Sequence, residues 1–519
     1  MLEVTTLAVL ALGLALRVAP VALARRGAGI DHWYWRTWVE TYRREGEFPP
    51  SLPMYTLDEK QWYPPVFPLF LSALPDWLFN RFNTFIAIAI DMLRMLLLIG
   101  VAQWRTGDPG VTLMAGLLYA TTPIQVSYNI QLNPRGLAAL MLDGLLLILL
   151  VLLDPGGPWW LWPIIVLLGG LILLTHKMST QLFWFVILGT ALIYRNWPLL
   201  ALIPLSMIVA LVLSRGFYAN VLRAHWDIVS FWNRNWRWIG ADLLRESPIY
   251  GDGSYERSEK LHRGGFRGVL RQAATLFGFN PAAWIGCLLV YERLWIESPV
   301  LFFPTYLLVW LLLPCLLACL TTFLPRLKSL GAGYLYLYNA SLITSLLLGT
   351  AFEQTLVPRL SKPFILAALL CNVAAVGTYY VHFYLNKRSR VHEGLERLID
   401  TLRELPRGVV MSIPANWYEV IAYKSGQPVL WGGHGYGFRK LEPTFPRLLL
   451  PIPQLLKQYD VHYLVTMDGM LTAAAAAELP DATLVTQGEY HLYCFTALSE
   501  DTPITLGHVP SATFALKSS

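Results

Sequence analysis

Uninterrupted apolar runs constrain this chain more than any other feature. They cover residues 4–24, 136–153, 159–175, 198–214, 301–324 and 363–385. Each approaches or exceeds the roughly 20 residues that span the hydrocarbon core of a bilayer. Backbone in lipid has no water to bond with, so such runs fold as membrane helices. Composition agrees: the 519 residues are 55% hydrophobic and 14% charged, with a mean hydropathy of +0.46. The expectation is a polytopic α-helical membrane protein, integral to a membrane.

About eleven spans are predicted: 4–24, 84–103, 110–126, 136–153, 159–175, 182–194, 198–214, 281–296, 299–324, 330–349 and 363–385. The runs 182–194 and 281–296 are short for a crossing. Residues 66–74, flanked by Pro65, Pro68 and Pro75, read as an interfacial half-helix. The first span lacks a basic leading segment and a clear small-residue cleavage site, so it is expected to be retained. Together, 1–389 form the membrane domain.

Three polar regions lie outside lipid. The first is the loop 25–83, where the pattern predicts an amphipathic helix over Asp31–Glu45: Trp35, Trp38 and Tyr42 recur at helical spacing among Arg36, Glu40, Arg43 and Arg44. The second is the loop 215–280, rich in Trp and Arg. The third, 390–519, reads as a separate small α/β domain. Its helices are expected at 393–405, 453–459 and 473–479, and its strands at 408–413, 428–431, 461–466, 482–486 and 490–495.

The 20 Trp and 25 Tyr suit membrane interfaces. A net charge of +6 spread along the chain calls for membrane lipid or phosphate and needs no nucleic acid. Four of the five cysteines fall in apolar runs, which fits neither a disulfide framework nor a CxxC metal site. No GxxxxGK[ST], HExxH, GxSxG or Asp-x-Asp occurs, which removes ATP-cradle, zinc-hydrolase, serine-hydrolase and soluble nucleotide-sugar chemistry.

Chemistry gathers near the first loop. Asp31 opens Asp31-His32-Trp33-Tyr34-Trp35, and a carboxylate beside a membrane is costly unless used. Its plain alternative is a helix N-cap. Asp58, Glu59 and Lys60 precede Trp62-Tyr63-Pro64-Pro65. Arg135, after Asn133-Pro134, offers a planar fork for phosphate or else snorkels from a helix start. His176 and Lys177 follow the fifth span, as phosphate ligands or as interfacial anchors. Asp91 and Arg94 are expected to pair at i, i+3, whereas Asp143 has no evident partner. In Trp431-Gly432-Gly433-His434-Gly435-Tyr436-Gly437, the glycines read as a flexible connection or as a close backbone approach.

A first span, then a loop opening on an acidic-aromatic motif, then Tyr63-Pro64-Pro65 before a short apolar helix resembles the GT-C membrane glycosyltransferases. The pattern is similar to dolichyl-phosphate-mannose–protein mannosyltransferases and bacterial aminoarabinose transferases. It also resembles the catalytic subunit of oligosaccharyltransferases, whose Trp-Trp-Asp-Tyr-Gly signature is absent here. The resemblance implies transfer of a sugar from a polyprenyl-phosphate carrier to an acceptor (protein, lipid or glycan) at the outer face of the cell membrane. It makes Asp31 the catalytic acid, as general base or metal ligand, so a divalent metal is an open expectation and no cofactor is certain. His32, Glu59, Tyr63, Asn133, Arg135, His176 and Lys177 are the residues expected to bind substrate and phosphate. Asn133 stands where relatives carry a second acid; Asn can ligate but cannot act as a base. On positive charge alone, Arg25 and Arg26 favour a cytoplasmic first loop, against this orientation. The rival readings are a transporter or flippase for a lipid-linked saccharide and an assembly scaffold.

Overall fold

The computed structural model describes residues 2–24, 31–57, 60–153, 157–236, 265–293, 302–353, 361–385, 393–413, 415–432, 434–445, 449–471 and 473–495. Among them, seven helices are long and apolar enough to cross a membrane. They include α1 (Leu2–Ala24), α4 (Asp76–Thr106), α7 (Arg135–Leu153) and α9 (Lys177–Tyr194). An eighth results if the bent pair α10 (Leu202–Leu213) and α11 (Tyr218–Arg234) counts as one span, although it turns by 117°.

Two other expected crossings are divided into shorter pieces. Residues 110–126 divide into α5 (Pro109–Ala120) and α6 (Pro123–Tyr128), because Pro123 drives Thr122 out of the helical region. At 1.5 Å per residue they rise about 18 and 9 Å, which together approach the ~30 Å of hydrocarbon. The run 159–175 becomes a 3₁₀ turn followed by α8 (Trp162–Leu173). In the run 281–296 the described residues form a helix over Pro281–Arg293, and 294–296 lie outside them.

Charges inside the bundle settle into an alternating chain. Arg17 of α1 pairs with Asp91 of α4, and Asp91 also accepts from the Tyr119 hydroxyl at 2.6 Å. Arg94 reaches Asp143 of α7 at 2.7 Å and Asp91 at only 3.7 Å. The expected i, i+3 pair is therefore the longer contact, and Asp143 finds its partner across a helix interface. All four side chains are fully buried. Two positive and two negative charges cancel, which is how a low-dielectric interior holds them.

At one end of the bundle the first loop folds into α2 (Asp31–Glu45) and α3 (Val66–Ala73), matching the expected amphipathic helix and half-helix. Trp35 and Trp38 are buried within protein. Beside them lies a sheet of order β1-β2-β4-β3, built from β1 (Val409–Ser412), β2 (Val461–Met467), β3 (Ala482–Gln487) and β4 (Tyr490–Phe495). β1 and β2 are parallel and the other pairs antiparallel. The strand predicted at 428–431 is reduced to bridges, in which Val429 joins Val410 on one side and Tyr55 of the first loop on the other. The bonds Val429 N–H to Met54 O (2.7 Å) and Thr56 N–H to Val429 O (2.9 Å) stitch loop and sheet together. One hydrophobic core runs from Trp35, Trp38 and Leu52 to Leu398, Ile421 and Leu464, so 393–495 and the first loop pack as a unit.

Candidate active site

Proline chemistry positions the first wall of the site. Pro64 and Pro65 carry no N–H, so Val66 supplies the first donor of that stretch, and it bonds Leu174 O at 2.8 Å. That bond ties the start of α3 to the end of α8, and Tyr63 lies beside Lys177. Lys177 Nζ lies 5.2 Å from the Tyr63 ring centre, and Trp35 meets the same ring edge-on at 5.0 Å.

Asp31 is the first residue of α2, at the positive end of the helix dipole. Its Oδ1 lies 3.1 Å from His434 Nε2, with side chains 33% and 13% exposed. His434 arrives from the glycine-rich stretch and sits among aromatic rings: Tyr34 at 4.4 Å, Trp35 at 5.7 Å and Tyr63, stacked, at 5.8 Å. Burial pushes the Tyr63 phenol far above its ordinary range, the Asp31 charge adds to the shift and Arg135 opposes it. Tyr63 is therefore a neutral hydroxyl in this wall.

Arg135 begins α7, held by its turn: its N–H donates to Asn133 Oδ1 at 3.0 Å, while Asn133 Nδ2 donates to Tyr128 O and Gln131 O. Asn133 thus spends its amide on the backbone of the turn that presents Arg135. The guanidinium lies over Tyr128 at 5.1 Å. Its Nε is buried without a hydrogen-bond partner among the described residues. A buried donor left unmade costs about 1–3 kcal/mol, which a bound anion would relieve.

His176 is the N-cap of α9, and its Nδ1 accepts from Ser179 N–H at 3.3 Å. That bond leaves the ring proton on Nε2. Burial, reinforced by Arg135, holds the imidazole well below its ordinary value, with Asp31 opposing. His176 is accordingly a neutral N–H donor, and the cations of the cluster are Arg135 and Lys177. His32 stands apart: it is buried edge-on to Trp33, and its Nδ1 is unpartnered among the described residues. Burial and then Arg36 pull its pKa down to about 4.

Asp58 and Glu59 lie outside the described residues. Among those described, no three His, Cys, Asp or Glu side chains gather to hold a metal; Asp31 and His434 supply two donors. The described residues do not compose a full ligand set.

Residue-type reasoning passed over Asp227, whose carboxylate accepts from Gly437 N–H (3.3 Å) and Phe438 N–H (2.8 Å). It also passed over His225, 2.8 Å from the Gln181 amide on α9. Neither sits in a motif. The dense glycines did mark the stretch that delivers His434.

No family model matches the chain, and no curated protein matches it. Among solved structures, the chain is similar to an oligosaccharyltransferase from Archaeoglobus fulgidus, in complex with Zn and sulfate: TM-score 0.52, 14% identity, covering 89% of this chain and 68% of that one. The fold is GT-C-like. ArnT from Cupriavidus metallidurans bound to undecaprenyl phosphate aligns with a TM-score of 0.45 and 13% identity, covering 96% of this chain and 98% of that one. Its apo state gives 0.44 and 12%, covering 93% and 97%.

Proposed function

We propose that this membrane protein is a glycosyltransferase that moves a sugar from a polyprenyl-phosphate carrier to an acceptor at the outer face of the cell membrane. The observation that carries the reading is the meeting of one carboxylate, Asp31, with the cations Arg135 and Lys177 around Tyr63 at one end of an apolar bundle. The GT-C-like fold supports it, since the archaeal protein of similar fold is an oligosaccharyltransferase. An isoprenoid tail would lie along the apolar helices while its phosphate meets the cationic wall.

In this scheme the acceptor's nucleophilic atom attacks the anomeric carbon from the side opposite the phosphate. Its proton passes to Asp31. The bond from the anomeric carbon to the phosphate oxygen breaks, and the electron pair leaves on polyprenyl phosphate. Charge builds on that oxygen as the bond lengthens, so the Arg135 fork, Lys177 and the His176 Nε2–H act most strongly in the transition state. Inversion at the sugar follows from the single displacement. The decisive experiment is transfer from a polyprenyl-phosphate sugar by the purified chain and by Asp31→Asn. Activity lost in the variant supports the reading. Full activity in Asp31→Asn, or saccharide flux across proteoliposomes with no transfer product, overturns it.

A further inference from the structure

The stretch 431–438 has a built geometry that the transfer scheme above does not use. Three observations on it are independent of one another. First, two of its glycines are required by close approach: a methyl on Gly432 would stand 2.8 Å from the Tyr55 ring. A methyl on Gly437, where φ is +121°, would stand 2.9 Å from Leu57 O. Second, it is fastened on both sides: just before it Leu57 N–H donates to Leu430 O at 3.0 Å, and at its far end the Gly437 and Phe438 N–H groups donate to Asp227 and Tyr436 N–H donates to Lys60 O at 3.0 Å. Trp62 and Tyr436 add a ring contact at 4.5 Å. Third, the side chain at the turn is an imidazole, whose Nε2 lies 3.1 Å from Asp31 Oδ1.

From these we infer that His434 is a positioning residue, which holds the Asp31 carboxylate in one rotation from outside the membrane domain. The inference rests on the transferase reading and deepens it. A carboxylate at a helix start can turn about its Cβ–Cγ bond, and each rotation presents a different oxygen to the acceptor. A hydrogen bond from Nε2 to Oδ1 removes that freedom, as the third member of a catalytic triad orients the second. The rings of Tyr34, Trp35 and Tyr63 keep the imidazole itself from swinging. The C-terminal segment is then part of the catalytic assembly, supplying an orienting partner to Asp31 from 403 positions further along the chain.

A double-mutant cycle on the purified full chain tests this, read both in melting temperature and in turnover with a polyprenyl-phosphate sugar. The variants are His434→Ala, His434→Gln, Asp31→Asn and the Asp31→Asn/His434→Ala double. Removing a group that orients another costs about 10–100-fold. His434→Ala is expected to lower kcat by that range with donor KM changed less than about 3-fold, since a positioning defect spares binding. His434→Gln, which keeps an N–H near the Nε2 position, is expected to restore at least about 10-fold of the loss. The double variant is expected to be no slower than Asp31→Asn alone, and its melting temperature no lower than that of the worse single. Additive melting effects show that the pair does not act together and overturn the inference whatever the activity. So does wild-type kcat in His434→Ala. A wild-type chain inert toward polyprenyl-phosphate sugars, with coupled melting effects intact, overturns the transferase reading and the catalytic role while leaving the contact established.

Discussion

Side chains in this site divide by what each can do with a proton. Among the described residues of the site, Asp31 combines a carboxylate with partial exposure, so Asp31→Asn is expected to cost about 10²–10⁴-fold in transfer, the range for a general base; radiolabelled-sugar transfer measures it. Arg135 carries the opposite task. A planar fork and a point charge bind phosphate differently, so Arg135→Lys is expected to keep donor binding within a few-fold yet lose about 100-fold in kcat, the scale for losing one preorganised donor. Steady-state kinetics with the donor varied separates the two effects. His32 gives a pH dependence. Its folded pKa of about 4 lies below the unfolded 6.5, so the unfolded chain takes up the extra proton between those values. Stability is therefore flat above pH 6.5 and falls as pH drops toward 4, by about 3 kcal/mol in total for this one group. Melting curves between pH 7 and 5 are expected to shift less in His32→Phe than in the wild type. The contact between Asp31 and His434 was not legible in the sequence, because nothing in residue type reports a meeting across 403 positions. The glycines showed only that backbone would come close to something.

Elements were most legible where periodicity is local. Trp35, Trp38 and Tyr42 fixed α2 to its observed bounds, and Pro65, Pro68 and Pro75 fixed a short α3, because both patterns act within a turn or two. Pairings between elements were not legible. The sequence offered Arg94 the neighbour three residues away, whereas packing gave it Asp143 on α7 at 2.7 Å, and Arg17 took Asp91. Helix spacing can place two side chains on one face, yet only tertiary packing decides which helix lies against that face. The consequence is testable. Asp143→Leu leaves a buried guanidinium short of one counter-charge, and breaking such a pair costs about 3–5 kcal/mol. Asp143→Leu with Arg94→Met removes both charges and is expected to recover most of that loss. Thermal melting in detergent micelles checks it. If the double variant melts below the single, the pair is not the source of the cost.

At the scale of the whole molecule, the first loop and the C-terminal segment make one body, on which the site depends. The sequence suggested a separate domain at 390–519 because the composition changes sharply after the last apolar run. Composition reports solvent preference and says nothing of docking, so a face that is dry through contact looks no different from one that is dry through folding. In the structure Met54, Thr56 and Leu57 hydrogen-bond to residues 429–430, Tyr423 donates to Glu40 at 2.8 Å, and Arg234 meets Glu442 at 2.8 Å. Strand-like backbone pairing, a shared core and two charged contacts at separate corners exceed what a tethered module needs. This arrangement makes a definite expectation about the chain if it is cut. A protease site placed within 386–392, between the last apolar helix and the helix Glu393–Glu404, is expected to yield two pieces that stay together through size-exclusion chromatography in detergent. Weakening the clamp by Asp227→Asn trades a charged acceptor for a neutral one at two N–H groups, each a bond of about 1.5–3 kcal/mol when the acceptor is ionised. The cut Asp227→Asn protein is therefore expected to separate at a lower denaturant concentration than the cut wild type. Cut wild type that elutes as two independent species would show that the covalent link, and not the packed interface, holds the segment over the site.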